Sequence, residues 1–139
     1  MAAFRINRNV TFAETDMAGV MHFSNYYRWM EEVEHALWRS LGMSVVKREA
    51  GEDDALSWPR VRTNCEYFKP ARFEDALELS IAVSAIGRKS LSFLIEFKRN
   101  DETLARGESV CVCCRMKDGV FRSVEIPEAI REKLLSIAS

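Results

Sequence analysis

Apolar groups at positions 4, 6, 10 and 12 (Phe4, Ile6, Val10, Phe12), with polar residues between them, predict a first strand over 4–12 that buries one face. A turn follows, after which the period changes. Tyr27, Met30, Val33, Leu37 and Leu41 recur at three- and four-residue steps, the spacing of an amphipathic helix. Ser24 is placed to cap it, Gly42 to stop it, and Arg28, Glu31, Glu32, Glu34, His35 and Arg39 to form its polar face. At about 17 residues this helix is roughly 25 Å long, enough to run the length of a small sheet.

Residues 43–58, with Gly51 and the acidic run Glu52-Asp53-Asp54, read as a loop with a helical turn before Trp58-Pro59. The period then becomes two. Val61, Thr63, Cys65 and Tyr67 alternate with polar neighbours, as do Leu77, Leu79, Ile81, Val83 and Ala85. Gly87-Arg88-Lys89 connects to Leu91, Phe93, Ile95 and Phe97, and Asn100-Asp101-Glu102 turns into a long strand from about 103 to 116. One face of that strand holds only small residues, Ala105, Gly107, Ser109, Cys111 and Cys113, which would let a helix lie close; ordinary core packing explains them equally well. Lys117-Asp118-Gly119 makes a further turn, and Pro127 opens a short terminal helix with Ile130, Leu134 and Leu135.

The order strand, long helix, then about four antiparallel strands is α+β. It lacks the strand-helix alternation of a parallel nucleotide-binding sheet, and neither Gly-x-Gly-x-x-Gly nor Gly-x-x-x-x-Gly-Lys-Ser/Thr occurs. One helix leaves the other face and the edges of a sheet uncovered. Together with large apolar groups such as Trp29, Trp38 and Phe93, this points to a homo-oligomer whose partner chain covers part of the surface.

Composition narrows the classes. A chain of 139 residues, 47% hydrophobic, suits a single domain over 1–139 with its own core. With 20 Lys+Arg against 21 Asp+Glu, no overall basic excess calls for nucleic acid or an anionic membrane. Arg5, Asn7, Arg8 and Asn9 interrupt the opening segment, so no signal peptide is expected, and no apolar run nears the ~18 residues of a membrane span. A cytoplasmic protein with reduced cysteines is the expectation. Cys111, Cys113 and Cys114 are crowded together, with Cys65, His22 and His35 far from them, and a metal site is not expected.

The densest chemistry is the segment Glu14-Thr-Asp-Met-Ala-Gly-Val-Met-His-Phe-Ser-Asn-Tyr-Tyr27, between the first strand and the long helix. The first N–H groups of a helix lack internal partners and carry the positive end of its dipole. Gly19 permits a close turn that brings Asp16 to the same point, where a carbonyl can be polarised on one side and attacked on the other. Equally, Asp16 caps a turn that the glycine allows.

The run Asp16-x-Ala-Gly-Val-Met-x-Phe-x-Asn-Tyr-Tyr27 resembles the signature of 4-hydroxybenzoyl-CoA thioesterase-type, hotdog-fold acyl-CoA thioesterases. The resemblance runs from about Arg8 to Glu125, through Tyr67-Phe-Lys-Pro-Ala-Arg-Phe-Glu-Asp75 and Arg88-Lys-Ser90. It implies a long central helix wrapped by a curved antiparallel sheet of about five strands. It also implies dimers paired through their sheets, often joined into tetramers, with active sites at the dimer interface. By the same resemblance Asp16 falls on the catalytic carboxylate, nucleophile or general base toward water, and Phe23 on the backbone N–H that binds the thioester oxygen. Such a donor is typically worth ~10²–10³ in rate. No metal or cofactor is implied, because a thiolate is a good leaving group.

Where Phe23 stands, relatives often carry His or Tyr. Here the histidine is one place earlier, and His22 either lines the site or is a solvated loop residue. His35 reads as structural or solvent-facing, and Glu31 and Glu32 as solvated charges rather than a helix-borne catalytic glutamate. A CoA thioester brings phosphate charges, for which Arg88 and Lys89 are the leading contacts, with Arg60, Arg62, Lys69 and Arg72 behind them; solubility explains exposed Arg and Lys as well. The expected activity is hydrolysis of a CoA thioester to acid and CoA. Alternatives are an acyl-carrier-protein thioesterase and a non-catalytic acyl-CoA-binding protein. A dehydratase fits less well, for want of an acid-base partner near Asp16. The acyl group, whether aromatic, short aliphatic, branched or naphthoyl, is left open.

Overall fold

The two central alternating segments form adjacent strands whose inward residues pave the floor under the helix. In the computed structural model, which describes residues 3–45 and 55–138, the elements are β1 (Phe4–Asn9), α1 (Phe23–Ser40), β2 (Ala55–Ser57), β3 (Arg60–Tyr67), β4 (Ala76–Ile86), β5 (Ser90–Arg99), β6 (Glu102–Val112), β7 (Cys114–Lys117), β8 (Val120–Ser123) and α2 (Glu128–Ile137). Strands β1-β4-β5-β6-β3 form a five-stranded antiparallel sheet, and β2-β7-β8 a small second one. This is the α+β hotdog fold, one long helix against an antiparallel sheet.

Period-two patterning dictates the core. Leu77, Leu79, Ile81 and Val83 of β4 and Leu91, Phe93, Ile95 and Phe97 of β5 are buried, with partners in register such as Ile81 opposite Ile95. Above them lie Tyr26, Trp29, Met30, Val33, Leu37 and Trp38 of α1, with Tyr26 edge-on to Phe97 and Trp38 edge-on to Phe93. The small-residue face of β6 is what lets α1 approach. Ala105, Gly107, Ser109 and Cys111 are all buried, and a Cβ on Gly107 would stand 2.6 Å from Met30 Sδ.

Several expectations need correction. The helix cap is His22, not Ser24. Glu34 belongs to the core side of α1 rather than its polar face; at 1% exposure it is ion-paired with Arg60 of β3 and accepts from Trp38 Nε1 at 3.4 Å. Arg60 arrives from β3, so the sequence around Glu34 carries no trace of its counter-ion. The first strand ends at Asn9, and Phe12 starts a short 3₁₀ turn, exposed. The helical turn expected before Trp58 is strand β2, paired with β7; Gly51 and Glu52-Asp53-Asp54 lie outside the described residues. The long 103–116 strand is two strands parted at Cys113, whose N–H donates to the Lys89 carbonyl at 2.7 Å. The Asp118-Gly119 turn, both residues at positive φ, then folds β8 back on β7.

Trp29, Trp38 and Phe93 are fully buried inside the single chain, so they are not the groups that call for a partner. Among the described residues the strands left most exposed are β3, one of the two edges of the larger sheet, all of whose residues but Cys65 are exposed, and β8, all of whose residues are exposed.

Candidate active site

The segment between β1 and α1 is folded by its own short-range hydrogen bonds. Asp16 N–H donates to the Val20 carbonyl (2.9 Å) and Gly19 N–H to the Asp16 carbonyl (2.9 Å), closing a turn in which Gly19 takes φ +79. Nothing stands within 4 Å of a Cβ built there, so backbone conformation rather than space favours glycine. The Asp16 side chain caps the turn, Oδ1 accepting from Ala18 N–H at 2.8 Å. Among the described residues its second carboxylate oxygen has no partner. The turn is anchored by isolated bridges Thr15–Met21 and Val20–Arg72, and by Met21 N–H donating to the Ala71 carbonyl at 2.7 Å.

The helix N-terminus begins one residue beyond the turn. His22 Nδ1 accepts from Ser24 N–H (3.2 Å) and lies 2.8 Å from Ser24 Oγ. Asn25 N–H donates to the His22 carbonyl at 3.0 Å. The amide of Phe23 is left: as first residue of the helix it has no intrahelical acceptor, and among the described residues nothing else accepts from it. The Phe23 side chain is exposed and stacks on His22, centroids 4.6 Å apart. Its carbonyl accepts from Tyr67 Oη at 3.2 Å, tying β3 to the first turn of α1. Sequence reasoning gave Tyr67 no role of its own.

Glu14 was also missed. Its Oε1 accepts from Thr11 N–H (2.9 Å) and Thr11 Oγ1 (2.8 Å), and its Oε2 from Trp29 Nε1 (2.6 Å). Arg8 stacks over the Trp29 ring at 4.5 Å; its NH1, without an aligned hydrogen bond, lies 3.3 Å from Glu14 Oε2 and 3.0 Å from Glu32. Burial opposes ionisation of Glu14, but the donors from Thr11 and Trp29 and the Arg8 charge outweigh it and hold the carboxyl below its ordinary value. The signal was the capping-box spacing Thr11-x-x-Glu14.

Asp16, His22 and Phe23 are thus brought together by one loop, whereas Arg88 and Lys89 are not. The turn packs on residues 71–75, just before β4, and the hairpin follows its far end. The eleven residues of β4 separate them by roughly 33 Å at ~3.3 Å per residue. Arg88 is exposed and ion-paired with Glu125, and Lys89 Nζ lies 3.4 Å from Ser123 Oγ. Of the other cations, Arg60 is committed to Glu34 and Lys69 to Glu102 (2.6 Å). Arg72, whose backbone bridges Val20, gives its N–H to Asp75 Oδ2 at 2.8 Å, and its guanidinium has no carboxylate partner among the described residues. Exposed apolar groups surround the turn: Phe12, edge-on to Phe73 at 5.7 Å, with Met17 and Phe23. Among the described residues no helix is long and apolar enough to cross a membrane.

A hotdog sheet whose long helix is entered through an acidic glycine turn is the arrangement expected of the thioesterase class of enzyme. Residues 10–134 match the thioesterase-like superfamily, and the chain belongs to it. A candidate esterase of Aquifex aeolicus (strain VF5) is 33% identical over 133 residues, 94% of this chain and 97% of its own. The 1,4-dihydroxy-2-naphthoyl-CoA hydrolase of Prochlorococcus marinus (strain NATL1A) is 31% identical over 106 residues, 71% of this chain and 69% of its own. The fold is that of a mutant 4-hydroxybenzoyl-CoA thioesterase solved with 4-hydroxybenzoyl-CoA, with TM-score 0.83, 20% identity, and 96% of this chain and 99% of that one covered.

Proposed function

We propose that the protein hydrolyses an acyl-CoA thioester to the free acid and CoA in the cytoplasm. The observation that carries this is that one short hydrogen-bonded segment joins the Asp16 carboxylate to the Phe23 amide at the positive end of α1, and among the described residues one carboxylate oxygen and that amide have no partner. The amide and the helix dipole receive the thioester oxygen as it gains charge. Asp16 either attacks the carbonyl itself, giving an anhydride that water then cleaves, or takes the proton of an attacking water. In both routes the C–S bond breaks and the thiolate of CoA leaves. His22 caps the helix through Nδ1, with Phe23 stacked beside it, and is the side chain proposed to line the site.

Arg88 and Lys89 reach the phosphates of CoA only from a second copy, since in their own chain they lie beyond the far end of β4. The exposed edge of β3 is the natural seam for such a copy, and a homodimer, or a tetramer of two dimers, completes the site. Four free cysteines suit a reducing compartment.

The test is thiol release from a panel including 1,4-dihydroxy-2-naphthoyl-CoA, 4-hydroxybenzoyl-CoA and short aliphatic thioesters. Asp16→Asn is expected to lose at least ~10²-fold in rate while keeping the fold; undiminished activity removes Asp16 from its role. Turnover only of carrier-bound acyl groups would select the carrier-protein reading, and tight CoA binding without turnover a binding protein.

A further inference from the structure

We propose that Glu14 is a positioning residue that sets the Asp16 turn against the N-terminus of α1. The inference rests on the thioesterase reading above and assigns a part of the site that the reaction itself does not touch. Five hydrogen bonds converge on this one residue. The carboxylate takes three, from Thr11 N–H, Thr11 Oγ1 and Trp29 Nε1; the backbone carbonyl takes two, from His22 N–H (2.9 Å) and Asn25 Nδ2 (2.9 Å).

The two sets act on different things. The carbonyl holds His22, the residue before Phe23, and Asn25, two residues after it, so it fixes where the free Phe23 amide stands. The carboxylate ties that carbonyl to the body of the helix through Trp29, which is fully buried in the close-packed core. Asp16 follows two residues later, and Thr15 Oγ1 donates to the Phe12 carbonyl at 2.7 Å, so the chain between Glu14 and Asp16 has little freedom to swing. The proposed catalytic carboxylate and oxyanion donor are therefore both referred to one residue.

A carboxylate is the group this place requires. Three donors and the Arg8 cation converge on it, demanding two acceptor oxygens and a negative charge. Glutamine supplies one acceptor oxygen and turns an NH₂ toward either Thr11 or Trp29, where a donor already stands.

The test uses Glu14→Gln, Trp29→Phe, which removes one donor while keeping a ring in the core, and the double variant. Glu14→Gln is expected to lower kcat about tenfold or more with KM within twofold, because misplacing reacting groups by a fraction of an ångström costs rate rather than binding. Trp29→Phe is expected to lower kcat severalfold, and the double variant to be no worse than Glu14→Gln alone, since both break the same link. Amide exchange reads the position of the turn without activity. Protection of Ala18 and Gly19, whose N–H groups bond Asp16, is expected to fall in Glu14→Gln while that of Ile95 in β5 stays unchanged. Unchanged kcat and unchanged protection in Glu14→Gln would overturn the proposal. So would losses that multiply in the double variant, or equal loss of protection at Ala18 and Ile95, the mark of a purely global destabilisation. If the wild-type protein turns over no thioester, the parent reading fails, and the exchange data still decide whether Glu14 holds the turn.

Discussion

Tyr67, the last residue of β3, donates its hydroxyl to the carbonyl of Phe23, the first residue of α1, at 3.2 Å, and its ring stands edge-on to Tyr26 with centroids 4.9 Å apart. The edge strand is thereby tied to the helix turn that bears the free amide. Although Tyr67 is exposed as a residue, partial desolvation of its hydroxyl, with Cys65 and Tyr27 beside it, raises the phenol above its ordinary value, so it remains a donor across the range in which thioester hydrolysis is assayed. Tyr67→Phe keeps the ring contact and removes the bond. It is expected to cost about 1 kcal/mol of stability in urea unfolding, at unchanged m, and to lower kcat/KM severalfold.

The lowered ionisation of Glu14 fixes the sign of a pH effect. A carboxyl whose folded value lies below its unfolded one stabilises fully above the unfolded value of about 4.3, and the contribution is lost as pH falls through the folded value. The groups facing it are Arg8 from β1, Thr11 from the turn and Trp29 from α1, with Glu32 competing for Arg8. Urea unfolding of wild type and Glu14→Gln is expected to show a gap of about 2 kcal/mol at pH 7 that narrows below about pH 4. A gap constant down to pH 3 would contradict the assignment.

The contact between Met30 and Gly107 limits what β6 tolerates. In Gly107→Ala the new methyl meets Met30 Sδ and Cε, at 2.6 and 2.7 Å, and lies 3.2 Å from the Asn64 carbonyl. The methionine end can bend away, but into a filled core and with the backbone oxygen still close, so a loss of about 1–2 kcal/mol in thermal or urea unfolding is expected.

Reactivity of the cysteines follows from burial. Burial pushes the thiols of Cys65 and Cys113 up to about 11 and that of Cys111 to about 12, and raises Cys114 as well. A disulfide reagent at pH 8 is expected to label native protein slowly and all four thiols within seconds in denaturant. Rapid labelling of Cys111 in the native state would show that β6 opens.

The proposed phosphate contacts of Arg88 and Lys89 make a prediction that separates charge from fold. Alanine at both positions is expected to raise KM for CoA thioesters about tenfold and leave KM unchanged for pantetheine thioesters, which lack the nucleotide phosphates. The same test on Arg72→Ala decides whether Arg72, whose backbone bridges Val20, is a second contact.

Much of this architecture was legible because its cause is local. Leu77 to Val83 and Leu91 to Phe97 alternate since each strand buries one face, and the Asp16 turn carries its own bonds within five residues. What escaped the sequence depends on distant partners. Glu34 reads as a solvated charge until Arg60 of β3 meets it, and the capping-box spacing of Glu14 gives no sign of Trp29, which closes on it fifteen positions later. Strands β2 and β8 are too short to show a period and exist because β7 lies between them. The separation of Asp16 from Arg88 is likewise a property of strand length, invisible to a motif that names both.

That separation has a kinetic meaning. If one chain supplies the carboxylate and another the phosphate contacts, the working unit is a pair, and specific activity should depend on enzyme concentration. At dilutions where copies part, initial rates with CoA thioesters would rise more steeply than first order in protein. Mixing an Asp16→Asn chain with an Arg88→Ala, Lys89→Ala chain would restore, in the hybrids, one intact site of two.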